Sequence, residues 1–379
     1  MPVTVQIVDT PSLLRRFILF PHTLYQDNPY WVPNLISDDK KLLTPGRHPF
    51  HEHSEVRLFL ALEGEKPVGR ICAHVNHEHN RYHKDRVGFF GFFDCIDSPE
   101  AASALFEHAT RFVASHKMET LRGPMNFSTN ETCGLLVNSF DEMPYIMMPY
   151  NPPYYEKLIL GAGFSKSRDL VCYRLDEELF SFERIGKLVE KIRKRSHVTL
   201  REVDFKNLEK EVQIIREIYN AAWSNNWGFV PMTDAEFDHM AKEMKAIVDP
   251  RLLLIAMKNG ENVGFILCLP DANIVLKKMN GRLFPLGILK ALWYKRKINR
   301  IRIITMGVKE EYRGAGIDLL FYHKIATTSP SIGYPTGELG WVLEDNRLMN
   351  RAAKQMGAHI TKRYRIFDRP VIFAGSETS

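Results

Sequence analysis

The sequence contains one arrangement of apolar runs and turns twice, and any fold of the chain must account for this internal repeat. Residues 58–75 (LFLALEGEKPVGRICAHV) and 252–269 (LLLIAMKNGENVGFILCL) each consist of an apolar run, a short polar turn and a second apolar run. The pattern predicts two β-hairpins, with residues 63–64 and 259–260 in their turns. The chain is therefore expected to contain two copies of one folding unit.

A second repeated pattern lies later in each copy. Residues 154–175 and 350–367 each consist of a helical stretch, a glycine and then a strand. Helices that alternate with strands predict an α/β fold with mixed sheets. The chain of 379 residues is long enough for two copies of about 170 residues each. We expect domains at 1–178 and 179–379, joined by a charged amphipathic helix at 181–197.

Composition and charge exclude several classes of protein. Hydrophobic residues make up 45% of the chain and charged residues 25%, which is typical of a globular protein. The net charge of +6 suits an anionic ligand or an acidic membrane surface, but it is too small to indicate nucleic acid. Five widely spaced cysteines without a CxxC pair predict neither a disulfide framework nor a zinc site.

The location of the protein is predicted from its apolar segments. The N-terminal residues lack the apolar stretch of a signal peptide. No run approaches the ~18 apolar residues that span a bilayer. We therefore expect a cytoplasmic protein, associated at most peripherally with the inner face of the membrane.

The strongest chemical signal lies at 301–325 (IRIITMGVKEEYRGAGIDLLFYHKI). Residues 301–308 are predicted to form a buried strand, and a helix is predicted from Ile317. Between them, Arg313, Gly314, Ala315 and Gly316 form a tight loop. A strand, a glycine loop and a helix N-terminus together present several N–H groups to a phosphate, and the arginine adds a charged donor. The alternative is a plain turn without a ligand.

This loop resembles the acyl-CoA loop of the GNAT superfamily, which reads R/Q-x-x-G-x-G/A after the fourth strand. Arg313 and Gly316 match that pattern, whereas Asp318 stands where the family has glycine or alanine. The resemblance implies a tandem GNAT-type fold of two similar lobes, with acyl-CoA bound by the second lobe. At 88–106 the first copy has acidic residues and no such loop, so we expect it to shape the acceptor site.

Longer stretches resemble the bacterial ceramide synthase-like (YghO-like) branch of this superfamily. They are NPYWVPNL (28–35), HPFHEHSE (48–55), VGFFGFFD (87–94), RGPMNFSTNETCGLL (122–136), MMPYNPPYYEKL (147–158), GWVLEDNRLMNRAAKQMGA (340–358) and KRYRIF (362–367). This resemblance implies transfer of an acyl group from acyl-CoA, either acetyl-CoA or a long-chain thioester, to the amine of a long-chain (sphingoid) base. Two alternatives are acetyl transfer to a small amine or a protein, and non-catalytic binding of acyl-CoA or lipid.

N-acyl transfer needs a polarised carbonyl, a neutral amine and a proton for the leaving thiolate. GNAT enzymes polarise the carbonyl with a backbone N–H of the fourth strand. The resemblance therefore implies the amides of Met306, Gly307 and Val308 as oxyanion and pantetheine donors, with Gly307 marking a local bulge. The tyrosine that usually acts as general acid corresponds to Ala353, so that acid is absent. Other candidates near the loop in sequence are Tyr312, Tyr322 and His323.

Two carboxylates in the segment 337–346 are candidates for the base. Strand alternation puts Glu338 and Glu344 on one face of the strand and Trp341, a candidate for substrate binding, on the other. We expect one glutamate to accept the proton of the amine. The alternative is that both are solvated or ion-paired.

The segment 122–131 of the first copy is a candidate for binding the acceptor. Its polar residues are Asn126, Ser128, Asn130 and Glu131. They could hold the amine and hydroxyls of the acceptor, or simply form a hydrogen-bonded loop. Histidines crowd 48–53 and 74–83, but their spacing fits no familiar ligand set, so we expect no metal.

Residues 277–302 combine an apolar run with at least eight basic residues. This composition predicts an amphipathic helix that contacts an anionic membrane through 282–300, next to a lipid acceptor. The alternative is a helix packed on its own domain with a solvated basic face.

Overall fold

The computed structural model describes residues 2–180, 182–224 and 226–372. The chain forms two compact units. Unit 1 comprises the described residues up to Leu170, the segment Leu276–Ala291 and the described residues from Lys362 onward. Unit 2 comprises Val171–Val275 and Leu292–Thr361. Two segments from the second half of the sequence thus belong to unit 1, a feature that the simple expectation of two contiguous halves does not include.

Unit 1 is built on a mixed sheet. Its strands are β1 (Val3–Ile7), β2 (Ser54–Glu63), β3 (Lys66–Asn76), β4 (Val87–Cys95), β5 (Thr120–Gly123), β6 (Leu135–Leu136), the first part of β7 (Ser165–Asp176) and most of β13 (His359–Pro370). The order is β1-β2-β3-β4-β5-β13, and β6 also pairs with β13. Strands β4 and β5 are parallel. The pairs β1-β2, β2-β3, β3-β4, β5-β13 and β6-β13 are antiparallel.

Helices cover this sheet and bury its apolar residues. They are α1 (Pro11–Leu24), α2 (Ile36–Leu43), α3 (His77–His83), α4 (Pro99–Ser115) and α5 (Tyr154–Gly161). Helix α4 begins where Ser98 accepts a hydrogen bond from the N–H of Ala101 (3.2 Å) and Pro99 fills the first turn. Its buried face, which includes Leu105 and Phe106, joins the main core of the unit.

Unit 2 repeats the same arrangement. Its strands are the remainder of β7, β8 (Val198–Glu202), β9 (Leu253–Lys258), β10 (Glu261–Pro270), β11 (Arg300–Val308) and β12 (Thr336–Leu343). Their order is β7-β12-β11-β10-β9-β8. The helices are α6 (Phe182–Ser196), α7 (Leu208–Trp223), α8 (Asp234–Lys245), α9 (Asn273–Met279), α10 (Gly287–Lys295), α11 (Ile317–Ser331) and α12 (Arg347–Gln355), with α9 and α10 divided between the units. The α/β fold class and the repeat are thus confirmed.

Both predicted hairpins are present. Strands β2 and β3 pair up to Glu63 and Lys66, and β9 and β10 pair up to Lys258 and Glu261. In the second turn, Asn259 and Gly260 have φ of 51° and 84°. Positive φ at both central residues is the conformation that favours Asn-Gly in two-residue hairpin loops.

The single helix predicted for 277–302 is wrong. The segment contains the end of α9, a connection, helix α10 and the start of β11. Gly281 has a φ of 74°, which is outside the helical region, and Pro285 lacks the N–H that a continuing helix would need. None of the helices in the described ranges is both long enough and apolar enough to cross a bilayer.

Candidate active site

Strands β11 and β12 part in the middle of the sheet of unit 2. Their parallel pairing runs only from Arg300 opposite Thr336 to Ile303 opposite Leu339. On its other edge, β11 remains paired with β10 as far as Val308. Within the described residues, the second half of β11 therefore has a paired neighbour on one edge only. Its other edge faces an opening between the two strands, which we call the fork.

The amides that face the fork follow from the alternation of the antiparallel ladder. Beyond the end of β11, the N–H of Lys309 donates to Val263 O in 2.9 Å, so Lys309 faces β10. Because successive residues face opposite edges, Gly307 also faces β10, and Met306 and Val308 face the fork. Two of the three predicted amides therefore face the fork, whereas the amide of Gly307 faces β10 within the antiparallel ladder.

The predicted bulge at Gly307 is wrong. Pairing shifts from Leu267 opposite Thr305 to Cys268 opposite Ile303, so Ile304 is the extra residue. Gly307 has a different role, because a Cβ there would lie 3.0 Å from the Cβ of Ala222. The glycine allows helix α7 to approach the strand closely.

The glycine loop leaves backbone N–H groups without helical partners. The first hydrogen bond of α11 runs from the N–H of Leu320 to Gly316 O (3.1 Å), so the amides of 317–319 have no acceptor within the helix. Gly316 occupies the N-cap without a side-chain cap. Gly314 has a φ of 81°, and a Cβ there would meet no atom within 4 Å. The loop is therefore open at Gly314, and the helix dipole favours an anion there.

Arg313 fastens this loop to its surroundings. Its guanidinium donates to two backbone carbonyls, Ala222 O (2.5 Å) and Val308 O (3.4 Å). Ala315 and Ile317 pack into the core of unit 2, and this packing holds the loop in place. In this structure, the arginine therefore organises the loop and ties it to α7 and β11.

Gly316 is required by a neighbouring helix. Its φ is 77°, and a Cβ would lie 2.6 Å from Cδ1 of Ile192 in α6. Helix α6 thus packs directly against the loop. Asp318, which departs from the family pattern, lies in the first turn of α11, where the helix dipole favours a carboxylate.

Glu338 lies at the closed end of the fork. It is opposite Arg302 in the register of β11 and β12, one pair before the strands separate. Both side chains are buried, and Nε of Arg302 is 3.8 Å from Oε1 of Glu338. Arg302 also donates to Gly340 O (2.8 Å). A carboxylate in this position could accept a proton from a substrate held in the fork.

Glu344 is in a different environment from Glu338. Strand β12 ends at Leu343, so Glu344 lies beyond it, exposed, before helix α12. It lines a cleft of about 560 Å³ together with basic residues such as Arg347 and Arg351. The two glutamates predicted on one strand face are therefore not both on the strand. Trp341 lies within β12 and is half-buried.

The candidates for general acid lie apart from one another. Ala353 is fully buried in the core of unit 2. Burial, with a smaller contribution from Asp318, raises the pKa of Tyr322, whose hydroxyl contacts Sδ of Met349. Tyr312 donates to Glu261 (2.7 Å), which raises its pKa. Burial and the nearby Arg193 lower the pKa of His323. None of these contacts identifies the acid.

Three residues of β11 and α7 were not predicted from the sequence. The Oγ1 of Thr305 in β11 and the Oδ1 of Asn220 in α7 are buried and accept no hydrogen bond from the described residues. The indole nitrogen of Trp223 would be 3.5 Å from a Cβ at Gly307. Helix α7 packs on β11, but that packing is not apparent from the sequence, where the two are distant.

The polar cluster predicted for the acceptor holds its own loop together. Asn126 accepts from the N–H of Phe92 (2.7 Å), and Ser128 Oγ accepts from the N–H of Asn130 (3.2 Å). Glu131 lies 3.9 Å from Nε2 of His48. All four predicted residues are half-buried in unit 1. These contacts match the alternative of a hydrogen-bonded loop and do not identify a ligand.

The end of strand β4, which corresponds to β11 in the repeat, is occupied by side chains of unit 1. The N–H of Cys95 donates to Oη of Tyr155, and Oη of Tyr154 donates to Cys95 O, both in 2.8 Å. Asp94 accepts from Arg70 in 2.7 Å. The backbone groups of Cys95 are thus already paired at this strand end.

No group of three or more His, Cys, Asp or Glu side chains in the described chain is arranged to hold a metal.

Comparisons with known proteins agree on the family. The chain is 35% identical to bacterial ceramide synthase of Caulobacter vibrioides (strain NA1000 / CB15N) over 372 residues, which cover 96% of each protein. It is 34% identical to protein YghO of Escherichia coli (strain K12) over 367 residues, which cover 94% of this chain and 93% of that protein. No family model matches the chain.

The fold is also found among solved structures. A tandem GNAT protein from the clavulanic acid biosynthesis pathway, solved without acetyl-CoA, aligns with a TM-score of 0.58 at 10% identity, over 98% of this chain and 99% of its own. This similarity shows the fold alone. Together with the two sequence relatives, it shows that the chain has the tandem GNAT fold and belongs to the bacterial ceramide synthase-like (YghO-like) family.

Proposed function

We propose that this N-acyltransferase moves an acyl group from acyl-CoA to the primary amine of a long-chain lipid, and that the reaction takes place at the fork of unit 2. The observation that carries this proposal is the opening between β11 and β12 after Ile303. It leaves the amides of Met306 and Val308 without strand partners, next to a helix N-terminus that suits phosphate. The relative named bacterial ceramide synthase supports a sphingoid base as the acceptor.

The donor is proposed to lie along β11. Its pyrophosphate would accept hydrogen bonds from the amides that follow Arg313, including those of Gly314 and Ile317. Its pantetheine arm would pair with β11 in the way that a further strand would, because the fork-facing amides lack acceptors. One of these amides, from Met306 or Val308, would then stabilise the oxyanion.

We propose that unit 1 binds no second acyl-CoA. Tyr154 and Tyr155 occupy the backbone groups of Cys95 at the equivalent strand end. The adjacent Asp94 would repel a pyrophosphate, and no glycine loop follows this strand. Unit 1 is proposed to contribute to binding of the acceptor, as the sequence led us to expect for Asn126, Ser128, Asn130 and Glu131.

Glu338 is proposed to accept the proton of the attacking amine. It lies at the closed end of the fork, buried and beside Arg302, whereas Glu344 is exposed beyond the strand. Trp341, three residues further along β12, is proposed to contact the substrate. Because the usual tyrosine is replaced by Ala353, protonation of the thiolate is assigned to water or to another residue.

Membrane contact through 282–300 would bring the enzyme to a water-insoluble acceptor. Large apolar side chains of this segment are exposed, among them Phe284 (70%), Leu289 (64%) and Trp293 (69%). The whole stretch from Ala272 to Lys309 contains no acidic residue. Exposed apolar side chains together with unopposed basic ones are the properties that bind peripheral proteins to anionic lipid.

The test is thiol release from acetyl-, lauroyl- and palmitoyl-CoA, with and without sphinganine. We expect sphinganine to increase thiol release from the long-chain thioesters, with formation of the corresponding amide. Acetyl-CoA turnover with a small amine and none with sphinganine would instead favour acetyl transfer. No turnover with any pair would support a protein that binds acyl-CoA without catalysis.

A further inference from the structure

Unit 1 contains a cleft whose charged lining residues are all basic. The cleft has a volume of about 640 Å³ and lies between helix α1, the segment 28–36 and the segment 277–290. This volume is typical of small-molecule sites. Its lining includes Lys277, Arg282 and Lys290 but neither aspartate nor glutamate.

One wall of the cleft is a fixed group of aromatic rings. Tyr25 stacks on Trp31, with ring centroids 5.1 Å apart, and His22 meets the same indole edge-on at 5.3 Å. The hydroxyl of Tyr25 donates to Asp94 in 2.7 Å and is buried. Because its polar end is held in the core, the aromatic wall is rigid.

The segment 277–290 forms the opposite wall, and hydrogen bonds join it to the first wall. The ammonium of Lys277 donates to Trp31 O in 2.8 Å and also to Pro29 O. The N–H of Ile36 donates to Gly281 O in 3.0 Å. Gly281 has a φ of 74°, and a Cβ there would lie only 2.4 Å from the ring of His22. The two walls therefore form one preorganised site.

The remaining positive charges of the cleft are not balanced by protein carboxylates. Among the described residues, neither Arg282 nor Lys290 forms an ion pair or a hydrogen bond through its side chain. Burial, followed by the charges of Arg70 and Arg282, lowers the pKa of His22. The imidazole is therefore neutral at pH 7 and adds a hydrogen-bonding group without charge. An anion with several oxygen atoms would satisfy these groups.

The rim of the cleft is apolar and exposed. Phe284 and Leu286 line the cleft and are 70% and 61% exposed. Leu289, on the first turn of α10, does not line the cleft but follows these residues in the chain and is 64% exposed. A small hydrophilic anion would make no use of these side chains. A ligand with an anionic head and an apolar tail would contact both the basic side chains and the apolar rim.

We propose that this cleft binds the phosphoryl headgroup of an anionic lipid, with its acyl chains against Phe284, Leu286 and Leu289. The proposal deepens the membrane contact proposed above by adding a specific headgroup site to a general surface attraction. A protonated long-chain amine is disfavoured here, because the cleft would place it among cations without a carboxylate. The cleft is therefore not the acceptor site of the acyl transfer.

The test uses the full-length protein and a soluble short-chain lipid, so that it does not depend on a bilayer or on turnover. Dihexanoyl-phosphatidylglycerol, kept below its micelle concentration, is titrated calorimetrically and compared with dihexanoyl-phosphatidylcholine and glycerol 3-phosphate. We expect the phosphatidylglycerol to bind at least about tenfold more tightly than either comparator, because phosphatidylcholine brings a quaternary ammonium to a basic cleft and glycerol 3-phosphate lacks the acyl chains that contact the rim.

Matched double variants identify the site. Arg282→Gln/Lys290→Gln should weaken binding of phosphatidylglycerol at least about tenfold. Lys295→Gln/Arg296→Gln removes the same charge from residues that are equally exposed but do not line the cleft, and it should change binding less than about twofold. Equal losses in both variants would overturn the site, as would equal affinity for phosphatidylcholine. Equal affinity for glycerol 3-phosphate would overturn a lipid ligand. If the protein bound anionic vesicles but not the short-chain lipid, the membrane contact would be supported and the headgroup site in the cleft would be refuted.

Discussion

Arg302 and Glu338 are opposite each other in parallel strands, 3.8 Å apart between Nε and Oε1, one pair before those strands separate. The ion pair therefore marks the closed end of the fork. A buried ion pair is costly to disrupt, because removal of one partner leaves a buried charge. The folding of any Glu338 variant must therefore be measured together with its activity.

Replacement of Glu338 tests the proposed base. Glu338→Gln should lower kcat by about 10²–10⁴-fold, the contribution typical of a general base, with little change in affinity for acyl-CoA. Glu344→Gln is the control and should remain near the wild-type rate, because Glu344 is exposed beyond the strand. A thermal unfolding curve separates lost chemistry from lost folding. A folded Glu338→Gln enzyme with normal kcat would remove Glu338 from the mechanism.

A charge placed at Gly314 tests the phosphate loop. Asn and Asp are the non-glycine residues that best tolerate a positive φ, and the position is open. Gly314→Asp should weaken binding of CoA at least about tenfold relative to Gly314→Asn, because two nearby negative charges repel. Equal affinities of the two variants, measured by calorimetry, would show that the phosphates bind elsewhere. Valine at Gly316 is a poorer test, since it would also displace Ile192 of α6.

Local patterns of the sequence predicted much of the fold. Asn259-Gly260 between two apolar runs predicted a hairpin, and that turn has the expected positive φ values. The glycine loop before Ile317 was placed correctly between a strand and a helix. Such features are determined by residues that are adjacent in the chain, and the sequence therefore contains them.

Features that depend on distant residues were not predictable. The extra residue of β11 is Ile304, whereas Gly307 accommodates Ala222 of the distant helix α7. Strand β12 ends before Glu344, which strand alternation alone cannot reveal. The segment 276–291 belongs to unit 1, held in part by the hydrogen bond of Lys277 to Trp31 O. No local pattern encodes such long-range contacts.

The exposed apolar side chains of 284–293 should bind the protein to membranes. Leu289→Ser/Trp293→Ser should reduce sedimentation with anionic vesicles. Leu348→Ser, an exposed leucine (79%) of α12, should not. Binding should decrease at high salt, because each basic residue near an anionic leaflet contributes about 1 kcal/mol that ions screen. Negligible and equal sedimentation with anionic and neutral vesicles would contradict the contact.

His74 should make the stability of unit 1 depend on pH. Burial, partly opposed by the hydrogen bond to Phe127 O, lowers the pKa of His74 from 6.5 to about 3. Between these values the unfolded chain binds a proton that the folded protein does not, so stability falls as the pH drops below 6.5. This one residue should lower the free energy of unfolding by about 2 kcal/mol at pH 5 relative to pH 7.5.

The pH dependence of His74→Gln should be shallower by that amount in denaturant titrations at the two pH values. His77→Gln serves as the control, because the side chain of His77 is about half exposed (48%), and it should keep the wild-type slope. An unchanged slope in His74→Gln would show that another group titrates in this range.

The location of the bound acyl group decides whether acyl transfer takes place at the fork. Palmitoyl-CoA with a diazirine on its acyl chain can be photocrosslinked to the wild-type protein, and the labelled peptides can be identified by mass spectrometry. We predict labels in the segments that border the fork, 304–308 and 336–343, and their loss when excess palmitoyl-CoA competes. Label confined to unit 1, or label that palmitoyl-CoA does not displace, would contradict acyl transfer at the fork.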